Sequence, residues 1–189
     1  MDPGRCGSAG AFDGVVRTIS ELAARDTPHR WLMTSALVGL GLAHIATAYA
    51  LTPVAAPGRL THGLGGLATL LVAAFPLPAG GGSSSAHTAA AAVAFISLAV
   101  WPAFAWMRRP RTAPSVGAVL GPWVSAAATC VLLLTVAWFF AELSIGSRRV
   151  GLAERVAAGA QAVWPLVVVL LVRRAKTNLG TVSVKPGQT

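Results

Sequence analysis

The side chains that could do chemistry in this 189-residue sequence are few, and three of them lie within long apolar stretches. His44 lies thirteen residues after Trp31 in the first stretch, which is about 20 Å along a helix axis. A polar ring near the centre of a membrane is costly unless it faces neighbouring helices and finds a partner. Two interpretations of His44 remain open: a neutral histidine bonded to another helix, or a group that relays a proton or contacts a ligand.

Glu154 and Gln161 lie seven residues apart in the last apolar stretch, so they share one helical face two turns apart. Gln161 is predicted to reach His44 at mid-depth, and Glu154 is predicted near the outer mouth of the bundle. An arginine of the outer segments is the expected ion-pair partner of Glu154. The candidates are Arg148, Arg149 and Arg30.

Two further glutamates are predicted on the same side of the membrane. Glu142 ends the fourth apolar stretch, and Glu21 lies in an amphipathic segment over residues 15–25 that can rest on the outer surface. Either these groups form salt bridges that hold the outer loops, or they line an outward-facing site. The ligand-site hypothesis therefore comprises His44, Gln161, Glu154, Glu142 and Glu21.

The composition indicates which kind of structural element positions these residues. Charged residues make up 11% of the chain and hydrophobic residues 54%, whereas a soluble domain carries about a quarter charged residues. A bilayer core needs about 20 mostly apolar residues per helix, and five stretches qualify. The predicted fold is an all-α polytopic bundle over residues 31–174, between an outer segment over residues 1–30 and a disordered tail over residues 175–189. The spans are Trp31 to Thr52, Leu60 to Ala79, His87 to Met107, Gly117 to Ala141 and Leu152 to Val172.

Short basic clusters give the predicted orientation. They follow the third and fifth spans, and Arg59 lies between the first two. The positive-inside rule places these ends in the cytoplasm, so the N-terminus faces outward and the C-terminus inward. All six acids then fall on the outer side. Arg outnumbers Lys by 13 to 2, which is typical of GC-rich bacteria and predicts a bacterial plasma membrane.

Several classes of function are disfavoured. The formal charge of +9 comes from residues that flank apolar spans rather than from a continuous stripe, so no nucleic-acid partner is predicted. Cys6 and Cys130 give no metal-binding spacing, and His62 and His87 are predicted on opposite sides of the membrane. No metal, cofactor or catalytic residue is therefore predicted, and an enzyme is the least favoured class.

Blocks at both ends of the chain carry a family resemblance. The N-terminal "FDGVVRTISELAARDTPHRW", the first-span "GLGLAHIATA" and the closing "WFFAEL…GLAERVAAGAQAVWPLVVVLLVRR" resemble a bacterial integral-membrane family known as domain-of-unknown-function family 998. The resemblance covers roughly Ala11 to Arg174 and implies no activity. Members typically have six spans, so it implies that the family's first helix is missing here, through a misassigned start codon or a genuine loss.

Three functions remain open for a protein embedded in a lipid bilayer. Binding or transport of a small polar solute or lipid headgroup predicts a hydrated outer cavity that reaches His44. A scaffold or assembly subunit predicts dry helix interfaces around Gly39, Gly63 and Gly159. A lipid-modifying enzyme predicts reacting groups within hydrogen-bond reach of one another.

Overall fold

The computed structural model describes residues 13–80, 82–106 and 120–182, and the regular secondary structure in these residues is entirely helical. Six helices are described, of which the first is a single turn. They are α1 (Ile19–Leu22), α2 (Arg30–Ala50), α3 (Ala56–Ala74), α4 (Ser85–Ala105), α5 (Pro122–Ser144) and α6 (Val150–Val182).

The helices pack around α4, and consecutive long helices are neighbours in the bundle. Helix α3 lies between α2 and α4, and α4 also contacts α5 and α6, which pack on each other. Small residues such as Ala99, Ala153 and Ala157 join Phe139 in the core between α4, α5 and α6. By contrast, α2 and α6 do not form a packed pair among the described residues. The bundle therefore has a gap between its first and last long helices.

Glycine permits the close approach of α2 to α3. A Cβ atom at Gly41 would lie 2.8 Å from the carbonyl oxygen of Gly66, and a Cβ atom at Gly66 would lie 2.8 Å from the carbonyl oxygen of Gly41. On the other face of α3, a Cβ atom at Gly58 would lie 2.6 Å from Cα of Ala105. Only residues without a side chain fit at these positions, so helix α3 is held tightly on two faces.

The glycines expected to form close interfaces are not the ones that do so. Gly39 and Gly159 have no neighbour within 4 Å of a Cβ position, and Gly63 meets only Ala48 at an ordinary 3.5 Å. The expectation was wrong because glycine content does not reveal which face of a helix meets a neighbour.

Four helical segments are long and apolar enough to cross a membrane. Helix α3 is not among them, although it has 19 residues, because Arg59, His62 and four glycines lower its mean hydropathy. The structure thus supports four of the five predicted spans. The predicted span ends Met107 and Gly117 lie outside the described residues. The four segments are Arg30–Ala50, Ser85–Ala105, Pro122–Ser144 and Val150–Arg174.

Two predictions about the ends of the chain need correction. The amphipathic helix expected over residues 15–25 is reduced to the four residues Ile19–Leu22, with turns on either side. The tail expected to be disordered from residue 175 is helical as far as Val182, because α6 continues past its basic cluster. Residues 183–189 lie outside the described part of the chain.

Candidate functional site

A cavity of about 210 Å³ lies between α2, α3, α4 and α6. The residues of α1 close the end at which α6 begins, because Ile19 and Ser20 belong to the wall. Most of the wall is aliphatic or aromatic, but three polar side chains predicted for the site also line it. These are His44, Gln161 and Glu154.

Glu154 is buried at the α1 end of the cavity, with 4% of its surface exposed. One of its carboxylate oxygens accepts a hydrogen bond from the Ile19 N–H, and the other accepts one from the Ser20 hydroxyl at 3.3 Å. The predicted ion pair with Arg148, Arg149 or Arg30 is not found among the described residues. Glu154 is therefore held by the N-terminal segment, and not by an interfacial salt-bridge network.

Gln161 lies two turns further along the same face of α6, as its spacing predicts, and is 2% exposed. Its Nε2 donates to the carbonyl oxygen of Phe95 on α4 at 2.7 Å, instead of bonding to His44. Its Oε1 has no hydrogen-bond partner among the described residues. The amide thus links α6 to α4 and leaves its acceptor end beside the cavity.

His44 forms a buried pair with His62 of α3. His44 Nδ1 lies 3.3 Å from His62 Nε2, and the rings meet edge to face with centroids 4.9 Å apart. His62 also contacts the Trp101 ring at 4.8 Å. Since one ring must donate to the other, the tautomers of the two histidines are coupled. His62 Nδ1 and Trp101 Nε1 are buried without a partner among the described residues.

Sequence reasoning missed His62, although a signal for the pair was present. His44 and His62 lie nine residues before and nine residues after Pro53, in the short connection between α2 and α3. Two antiparallel helices joined by a short loop place such positions at the same depth. The hairpin symmetry therefore predicts that the two rings lie at the same depth, and the structure shows that they face each other.

The structure does not bring Glu142 or Glu21 to the cavity. Glu142 accepts a hydrogen bond from Trp138 Nε1 at 2.8 Å, one turn away on α5. Glu21 completes a capping box with Thr18 and lies 3.5 Å from Arg17. Both glutamates have local structural partners outside the cavity wall.

Contacts with α6 and with the α3–α4 connection hold the N-terminal segment (residues 13–29) over the bundle. Arg155 Nη1 donates to the carbonyl oxygens of Gly14 at 2.7 Å, Arg17 at 2.8 Å and Gly151 at 2.9 Å. Asp26 accepts a hydrogen bond from the Gly80 N–H at 2.8 Å. This bond holds the pKa of Asp26 below its ordinary value. The Asp26 carboxylate therefore stays ionised and keeps its hydrogen bond to Gly80 across the neutral pH range.

The described residues contain no group of three histidine, cysteine, aspartate or glutamate side chains that could hold a metal ion. The pair of His44 and His62 supplies two nitrogens at most, and these face each other. The chemistry that this arrangement offers is therefore hydrogen bonding and charge pairing within an apolar cavity.

These features define a helical membrane protein with a largely apolar internal cavity whose wall includes the buried polar side chains of His44, Glu154 and Gln161. The family described as "Protein of unknown function (DUF998)" matches residues 8–171, and the chain belongs to this family. Comparisons with curated proteins and with solved structures give no match.

Proposed function

We propose that this protein binds a small amphipathic molecule, either a free solute or a lipid headgroup, in the cavity between α2, α4 and α6. The observation that carries the proposal is the convergence of Glu154, Gln161 and His44 on one cavity whose other walls are apolar. Ligand sites in proteins typically combine an apolar lining with a few placed polar groups. A purely polar solute would find too few partners there.

The size of the cavity supports a compact ligand. An engineered apolar cavity of about 150 Å³ holds benzene, and the cavity here measures about 210 Å³. It thus has room for about ten non-hydrogen atoms. Because α2 and α6 do not pack on each other among the described residues, we infer a lateral opening between these two helices, through which a molecule dissolved in the membrane enters.

We further propose that α3 is the fifth span and that the N-terminal segment faces the outside of a bacterial plasma membrane. Exposed leucines recur at helical spacing along one face of α3, as expected for a surface that meets lipid. They are Leu60, Leu64, Leu67 and Leu71. The basic clusters then lie in the cytoplasm, in agreement with the positive-inside rule.

Cysteine labelling in intact cells tests this arrangement. In a variant without native cysteines, Ser83→Cys between α3 and α4 is expected to react with a membrane-impermeant maleimide. Thr52→Cys between α2 and α3 is expected to react only after the cells are lysed, because α3 separates the two exposed positions. Reaction of both cysteines in intact cells would show that α3 does not cross the membrane.

A cavity-filling substitution tests the binding proposal. The probe is radiolabelled 1-adamantanol, a compact apolar cage with one hydroxyl, in equilibrium dialysis with the protein in dodecyl maltoside. Ala94 is buried in the cavity wall, so Ala94→Leu is expected to reduce binding by about tenfold or more through loss of space.

Ala92→Leu is the matched control, because Ala92 lies on the same helix outside the cavity wall. It is expected to bind 1-adamantanol as the wild type does, and thermal unfolding shows whether both variants are folded. If Ala94→Leu does not fold, Ala158→Leu fills the cavity from α6 instead. Failure of the wild-type protein to bind above the level of empty micelles would remove the binding proposal and favour a scaffold.

A further inference from the structure

Each of three polar side chains of the cavity wall already donates one hydrogen bond within the protein. The Ser20 hydroxyl is bonded to Glu154, and the Thr69 hydroxyl donates to the carbonyl oxygen of Gly65 at 2.9 Å. The Gln161 Nε2 donates to Phe95 on α4 at 2.7 Å. The oxygen atoms of these three side chains can still accept hydrogen bonds from a ligand.

The hydrogen-bond acceptors of the wall include a buried acid. Glu154 contributes a carboxylate that is 4% exposed, and Gln161 contributes an Oε1 atom without a partner among the described residues. Among the residues that the structure describes, no lysine or arginine belongs to the cavity wall. Arg155, next to Glu154 in sequence, directs its Nη1 towards three backbone carbonyls of the N-terminal segment and of α6.

This lining discriminates between ligand charges. An anionic ligand would lie beside a buried carboxylate, and like charges in a poorly hydrated site repel each other strongly. A cationic ligand would place an opposite charge there and supply N–H donors to the carboxylate and to Gln161 Oε1. A charge-assisted hydrogen bond between ammonium and carboxylate is about twice as strong as a neutral one.

The shape of the cavity adds a requirement for hydrocarbon. Between Glu154 and His44 the wall is formed mainly by large apolar side chains, among them Leu37, Leu40, Val72, Phe95 and Leu98. Glu154 and Gln161 are about 10 Å apart along the axis of α6. A ligand with its charge at Glu154 therefore extends an apolar body along the cavity towards Gln161.

We propose that the ligand is a lipophilic amine in its ammonium form, with the ammonium group against Glu154 and its hydrocarbon part between α2 and α4. This inference rests on the proposed binding function and specifies its ligand class. The ammonium group belongs either to a free lipophilic amine or to the headgroup of an aminolipid, because both reach the lateral opening from the membrane.

Three probes share the adamantane cage and differ in their polar group: 1-adamantanamine, 1-adamantanol and 1-adamantanecarboxylate. Equilibrium dialysis uses the full chain in dodecyl maltoside, an uncharged detergent without nitrogen. The wild-type protein is expected to bind the amine about tenfold or more tightly than the alcohol, and the carboxylate most weakly. The relative affinities of the three probes test the proposed preference for an ammonium group without any substitution.

Glu154→Gln tests the residue that carries the preference. The variant keeps an acceptor oxygen for the Ile19 N–H, its Nε2 can donate to the Ser20 hydroxyl, and the charge is removed. The variant is therefore expected to bind the amine no more tightly than the alcohol. The ratio of the amine affinity to the alcohol affinity within the variant is the readout, and thermal unfolding in dodecyl maltoside shows whether the variant is folded. The control is Asp13→Asn, which removes an exposed acid outside the cavity and should leave both affinities unchanged.

The outcomes of these experiments distinguish failure of the amine inference from failure of the proposed binding function. Equal binding of all three probes, or an amine preference that survives Glu154→Gln, would overturn the amine inference and leave the cavity as a binding site. If none of the three probes binds, the proposed function fails as well. Competition by added phosphatidylethanolamine would support an aminolipid headgroup as the source of the ammonium group, and its absence would support a free amine.

Discussion

Gly41→Ala is expected to destabilise the bundle by about 1–3 kcal/mol, which is typical of overpacking in a closely packed core. The new Cβ atom would lie 2.8 Å from the Gly66 carbonyl oxygen and 2.8 Å from the Leu70 side chain. A backbone oxygen can move away only if the whole helix moves. Helices α2 and α3 must therefore separate, and the contact between His44 and His62 at the same interface weakens with them.

The control for this prediction lies two residues away on the same helix. Gly39→Ala adds the same methyl group where nothing lies within 4 Å, so it is expected to be neutral or stabilising by up to about 1 kcal/mol, because alanine favours the helix. Unfolding in mixed micelles of dodecyl maltoside and SDS, followed by circular dichroism, measures the free energy of unfolding of both variants. Equal stability of the two variants would contradict the close approach of α2 and α3.

Arg155→Met is expected to release the N-terminal segment without unfolding the transmembrane helices. The substitution keeps an unbranched flexible stem in place of the arginine stem and removes bonds to three carbonyl oxygens, two of which belong to Gly14 and Arg17. Hydrogen bonds to charged groups contribute about 1.5–3 kcal/mol each. Local opening should therefore become at least about tenfold more frequent.

Hydrogen–deuterium exchange measures that opening directly. The amides of Arg17, Ala23 and Ala24 are bonded within the segment and should exchange about tenfold or more faster in Arg155→Met, whereas amides in the middle of α4 should not change. Arg148→Met removes an exposed arginine from the nearby loop and serves as the control. Unchanged exchange in the segment would show that other contacts hold it in place.

The release of the segment bears on ligand binding because Ile19 and Ser20 form one wall of the cavity and bond to Glu154. If the segment holds the carboxylate in position, Arg155→Met should also weaken the binding of 1-adamantanamine. The same structural element thus links the order of the N-terminal segment to the proposed amine site.

The amino-acid sequence determined the features that depend on local spacing. Runs of apolar residues predict the long helices, and α2, α4, α5 and α6 are found where expected. The interval of seven residues places Glu154 and Gln161 on one face of α6, where both line the cavity. The depth of His44 and its need for a partner also follow from its position in an apolar helix.

Only the tertiary structure decided which faces meet. Ser20 and Glu154 are 134 residues apart in sequence, and Phe95 and Gln161 are 66 apart. Periodicity specifies what a helix presents but not its rotation or distance relative to its neighbours. Those quantities depend on the combined packing of all side chains, here on the contact of Gly41 with Gly66. The gap between α2 and α6, and with it the cavity, is a consequence of that packing.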